Sequence, residues 1–117
     1  MTNIGEYAFT YCSELTNIAI PSSVTSIENS AFYGCSKLTN ITIPSSVTNI
    51  GEYAFSYCTG LTNITIPNSV TSMGVYVFSY IPSITVTVPF AEGNQPSGWN
   101  SRWNDTYAGA INVIYQQ

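Results

Sequence analysis

Three cysteines, six carboxylates, two basic residues and nine tyrosines are the titratable side chains of this 117-residue sequence, and histidine is absent. The missing imidazole removes the group best suited to proton transfer near neutrality and the commonest metal ligand. Cys12, Cys35 and Cys58 stand 23 residues apart. Zinc sites gather thiolates in C-x₂₋₄-C clusters, and three thiols cannot pair completely, so these cysteines read as small buried hydrophobes beside Phe9, Phe32 and Phe55. Glu6 and Glu52 lie two such periods apart, which in stacked strands means ~10 Å, near the separation of an inverting glycosidase pair. They fall on the convex side of a stacked-coil protein, where no cleft is expected, and read as solvated surface groups. Lys37 follows Ser36, but neighbours in sequence make no Ser–Lys dyad without a folded pocket. No phosphate-loop or dinucleotide-binding glycine pattern occurs. The sequence therefore nominates no catalytic residue, no metal ligand set and no cofactor site, and the chain is not read as an enzyme.

Binding groups are better represented. Tyr7, Tyr53 and Tyr76 share one position of a 23-residue period, and Tyr11, Tyr57 and Tyr80 share another four residues on, with Tyr33 nearby. A tyrosine has an apolar body and a polar tip, which suits a sugar or a protein partner and equally suits shielding of a core. Asn17, Asn40 and Asn63 form a second polar column, with Ala19, Thr42 and Thr65 beside it. On strands these residues point away from the core, and the extended strand face is the usual contact surface of repeat proteins. That makes Asn17, Asn40, Thr42, Asn63 and Thr65 the first candidate face, and the tyrosine columns the alternative. With a formal net charge of −4 and only two basic residues, the chain is unsuited to nucleic acid and to anionic membranes.

The period defines the elements that hold these columns. Leu15, Leu38 and Leu61 recur every 23 residues, as do Pro21, Pro44 and Pro67, and Phe9, Phe32, Phe55 and Phe78. The unit reads L-T-N-I-x-I-P-x-S-V-T-x-I/M, followed by A/V-F and a cysteine. Ile41 and Ile43 alternate with Asn40 and Thr42, the mark of a half-buried strand, and Pro44 stops it. Val47 to Ile50 form a second short extended piece. Ala54, Phe55 and Cys58 have helical spacing, which predicts about one helical or 3₁₀ turn. No unit can bury its own apolar face, so the units stack in parallel around a shared core. One domain results: a partial unit at 1–14, full units at 15–37, 38–60 and 61–83, and a divergent closing segment at 84–117.

This unit resembles the BspA-like leucine-rich repeat over residues 1–83. The resemblance implies a leucine-rich solenoid, mainly β with short helical turns, in a secreted or cell-surface protein that binds proteins or mediates adhesion. Ile84, Val86 and Val88 predict a further strand, and Ile111–Tyr115 a last one. The segment P-S-G-W-N-S-x-W-N is similar to the closing segment of that family and is expected to cap the core with Trp99 and Trp103. The N-terminus MTNIGEYAF has no basic region followed by an apolar block, so it is not read as a signal peptide, and no stretch is apolar enough to span a membrane. Met1 stands where the unit has valine. A chain that begins inside a unit is expected either to be part of a longer solenoid or to pair as a homodimer through its uncapped N-terminal end.

Overall fold

A computed structural model describes residues 2–116. The chain winds into a parallel β-solenoid of about five coils. One side carries β1 (Asn3–Ile4), β3 (Ser26–Ile27), β5 (Asn49–Ile50) and β7 (Ser72–Met73), hydrogen-bonded in that order. The other carries β2 (Asn17–Ala19), β4 (Asn40–Thr42), β6 (Asn63–Thr65), β8 (Ile81–Thr87) and β9 (Gly109–Ile114). Its ladder is formed between β2 and β4 and again through β6, β8 and β9. Register follows the period: Asn17 pairs with Asn40, Ile18 with Ile41 and Ser26 with Asn49. Met1, at the valine position, lies outside the described residues.

Register decides the packing. Because each residue sits against its counterpart one coil away, identical side chains form columns through the core. Phe9, Phe32, Phe55 and Phe78 stack nearly parallel, with successive ring centroids 5.3, 5.3 and 5.8 Å apart. Val24, Val47 and Val70, and Leu38 and Leu61, run beside them, all buried. Cys35 and Cys58 are buried free thiols whose Sγ atoms donate to the carbonyls of Phe9 and Phe32, 3.0 and 3.1 Å away. The hydrogen bond with Cys35 and burial push the Cys58 thiol up, which keeps it protonated and unreactive. Cys12, in the first coil, is only half-buried.

The hydroxyl-rich composition has a structural use. The Oγ1 atoms of Thr25, Thr39 and Thr48 donate to the carbonyls of Thr2, Thr16 and Thr25, each one coil earlier. Ser46 and Ser69 do the same to Val24 and Val47, at 2.6 and 2.7 Å. These side chains lace adjacent coils together where strands are too short to do so alone.

The expected helical turn does not form; among the described residues there is no helix. Alternate amides of the segment reach sideways to the next coil instead of back along the chain. Tyr7, Phe9 and Tyr11 donate to the carbonyls of Asn29, Ala31 and Tyr33, and Ser30, Phe32 and Gly34 to those of Glu52, Ala54 and Ser56. Between them the chain closes successive reverse turns, Ala8 donating to Gly5 and Cys12 to Phe9, both at 3.1 Å. A single helical turn would leave most of its donors without partners, whereas this arrangement supplies both kinds of bond.

The closing segment covers the last coil. Trp103 meets Phe78 edge-on at 6.3 Å and Trp99 at 5.0 Å, and both indoles are almost wholly buried. The Trp99 and Trp103 N–H groups are satisfied by the Val70 carbonyl and the Gln95 side-chain oxygen, at 2.9 and 2.8 Å. β9 then adds to β8, with a register shift between Ile81 and Ile84.

Two measurements check this packing. Phe55→Ala removes the middle of the phenylalanine stack and should lower unfolding free energy in urea by about 3–5 kcal/mol. Alkylation of the native protein should label Cys12 first and reach Cys35 and Cys58 only at denaturing urea concentrations; rapid labelling of all three would contradict the buried sulfur column.

Candidate functional site

The strand face places Asn17, Asn40 and Asn63 in one exposed column and Ala19, Thr42 and Thr65 in the next. Their side chains make no hydrogen bond within the described chain and stand free in solvent. The relief is low: two depressions of about 290 and 270 Å³ lie between β4 and β6 and between β2 and β4. Small flexible polar groups on a shallow surface provide few anchors for a partner.

The opposite flank is more strongly shaped. Each coil has two residues in the left-handed region, four apart: Tyr7 and Tyr11 at φ 58° and 55°, Tyr53 and Tyr57 at 57° and 61°, and Tyr76 and Tyr80 at 52° and 63°. The second coil has Ser30 and Gly34 at the same two places, at φ 57° and 77°. These residues are the third members of reverse turns, where positive φ is required. Glycine is the natural occupant, and a tyrosine there costs roughly 1–2 kcal/mol. Strain of this kind persists only where the surrounding structure over-determines it, here at the same place in successive coils.

The rings these positions project are stacked. Tyr53 and Tyr76 lie 5.8 Å apart and nearly parallel, and Tyr57 and Tyr80 4.3 Å apart. Gly34 interrupts the second column, and Tyr33 repairs it from one residue upstream, contacting Tyr11 at 5.6 Å and Tyr57 at 5.2 Å. Gly34 must be small: a Cβ there would sit 2.5 Å from the Tyr11 ring. Both columns end on one residue of the closing segment, Tyr107, which stacks on Tyr76 at 4.5 Å and on Tyr80 at 5.5 Å.

A groove of about 540 Å³ runs between the two columns, bordered on one side by Tyr7 and Tyr53 and on the other by Tyr11, Tyr33 and Tyr57. It corrects the expectation that this side has no cleft: the tyrosines themselves build the walls. Glu6 and Glu52, next to Tyr7 and Tyr53, are exposed and enter no ion pair among the described residues, where Lys37 pairs only with Glu14. Burial, and then the neighbouring phenols, push Tyr33 up, and Tyr80 is pushed up for the same reasons. Both phenols are therefore neutral at physiological pH, with hydroxyls available as hydrogen-bond donors.

The sequence identifies both tyrosine columns but not the groove. Ser30 and Gly34 are visible only as gaps in a pattern, and Tyr107 lies outside the period altogether.

A family model described as the BspA type leucine-rich repeat region matches residues 1–95 in six copies. A leucine-rich repeat protein from Bacteroides ovatus superposes with a TM-score of 0.71 at 34% identity, over 99% of this chain and 25% of its own. The leucine-rich repeat protein of T. pallidum gives 0.73 at 28% identity, over 99% and 46%. One from Bacteroides capillosus gives 0.64 at 28% identity, over 100% and 64%. This chain thus spans less than two thirds of each of these solved chains. No curated protein matches the sequence.

The left-handed turns make a signature in mutant stabilities. Tyr7 is 61% exposed, so trimming its ring loses little packing. Tyr7→Gly should be more stable than Tyr7→Ala by about 1 kcal/mol, the reverse of the usual order, because only glycine occupies positive φ freely. Urea denaturation of the two variants measures the difference.

Proposed function

The chain belongs to the BspA-type leucine-rich repeat family, and from that premise we propose that it serves a secreted or surface protein as a protein-binding, adhesive module working through its tyrosine groove. Leucine-rich repeat proteins are generally protein-interaction modules. What favours this flank over the asparagine and threonine face is one observation: strained tyrosines wall a groove larger than either depression of the strand face, while Tyr7, Tyr11 and Tyr107 remain 60–69% exposed. Tyrosine loses little conformational entropy on binding and is enriched among residues that dominate interface energies. The strand face offers neither depth nor anchors.

A carbohydrate reading of the same tyrosines is less well supported. Sugars stack on open ring faces, whereas within these columns most faces are already covered by the neighbouring ring.

The test works with an unidentified partner. A random dodecapeptide display library is panned against the folded chain, and the enriched peptides are titrated against two double variants. Tyr11→Gly with Tyr57→Gly puts at both places the residue the second coil already has at Gly34. It should weaken binding at least tenfold. Asn40→Glu with Asn63→Glu should change it less than twofold. The opposite pattern would place the contact surface on the strand face.

A further inference from the structure

The first tyrosine column lacks one ring. Where Tyr7, Tyr53 and Tyr76 stand in their coils, the second coil has Ser30. The other column is repaired across its own interruption by Tyr33; this one is not. Ser30 lies at the base of the gap, largely buried, lining the groove together with Tyr7 and Tyr53. Its hydroxyl has no hydrogen-bond partner within the described chain. At one coil per strand spacing, Tyr7 and Tyr53 are roughly 10 Å apart, room for one flat group between two ring faces. Among the described residues no ring stacks on Tyr7, and Tyr53 stacks only on Tyr76, away from the gap.

Deepening the reading of the groove as a protein-binding site, we infer that the slot at Ser30 takes the guanidinium of an arginine presented by a partner polypeptide, sandwiched between Tyr7 and Tyr53. Flatness is the first reason. Guanidinium is planar, stacks on aromatic faces and is weakly hydrated, so it leaves water more readily than an ammonium. Charge is the second. The chain carries −4, the exposed Glu6 and Glu52 directly precede the two wall tyrosines in sequence, and neither has a cation of its own among the described residues. Polarity is the third: the unpartnered Ser30 oxygen can accept from one guanidinium N–H. Farther along the same column a guanidinium already meets one of these phenols at its hydroxyl: Arg102 Nη1 donates to the Tyr76 hydroxyl, 3.4 Å away. A sugar gains less here, because the Thr10 hydroxyl already donates to the Tyr33 carbonyl and a neutral pyranose draws nothing from the net negative charge. A partner aromatic ring would fit the shape but gain nothing from the carboxylates.

The slot can be closed with a residue the repeat already accepts. Ser30→Tyr installs the ring found at this place in the other three coils, so the variant should fold, as its thermal melt will show. Capped Gly-Ser-Arg-Ser-Gly, and its analogues with citrulline, lysine or tyrosine at the centre, are titrated into wild type and Ser30→Tyr while the backbone amide signal at position 30 is followed by NMR. Cellotetraose is titrated as a sugar probe. The arginine peptide should bind at least tenfold more tightly than the citrulline one, more tightly than the lysine one, and more weakly as salt is raised; Ser30→Tyr should abolish its binding. Equal binding of citrulline, tighter binding of the tyrosine peptide or of cellotetraose, arginine binding that survives Ser30→Tyr, or no binding of the arginine peptide would each overturn the assignment. Panned peptides that still bind the groove in those cases would leave the protein-binding reading standing. Loss of panned binding only through Asn40→Glu with Asn63→Glu would remove both.

Discussion

The backbone amides of each coil are satisfied by the coil beside it. Strands of two or three residues supply only a few ladder bonds, so the remainder must come from turns, hydroxyls and the corner segment. Buried donors without partners are costly, and this demand fixes the register of every coil against its neighbour. Once the register is set, like residues must face like residues. The phenylalanine stack, the buried thiols donating to carbonyls and the threonine lacing are consequences of that alignment rather than independent features.

The same constraint accounts for the aromatic flank. A corner that sends alternate amides sideways has to reverse its path between them, and it does so through left-handed residues at two places in each coil. Their side chains project outward one coil apart, which is close to stacking distance for aromatic rings. Ring stacking offsets part of the backbone strain. From Tyr53 and Tyr57 onward an array built this way is rigid, since each ring is held by the turn beneath it and by its neighbours. Rigidity of that kind lowers the entropy lost when a partner binds.

Much of the fold is legible in the residues. The period, the inward columns and the strands around Ile41 and Ile64 follow from repetition alone, because stacking forces equivalent positions into equivalent environments. The corner is not legible, for a definite reason. Ala54, Phe55 and Cys58 have the inward spacing of a helical turn, but periodicity reports which side chains are buried, not whether an amide bonds along its own chain or to a neighbour. Tyrosine at positive φ is unfavourable enough that no propensity rule would suggest it. The closing strand starts at Gly109, before the apolar run, because a residue without Cβ is needed where that backbone crosses Ile81.

The candidate site is half legible. Repeated residues specify a scaffold, since whatever recurs in all coils is what stacking needs. Selective recognition has to come from departures. Ser30 and Gly34 break the tyrosine pattern in one coil, and the two breaks have different outcomes: Gly34 makes way for the Tyr11 ring and the column closes over it through Tyr33, whereas Ser30 leaves an opening. Tyr107 joins both columns at the far end, so the Tyr53 side of the opening belongs to one continuous stack. A uniform array would present much the same surface at every coil and bind without fixed register. A single missing ring gives this one a defined position along its length.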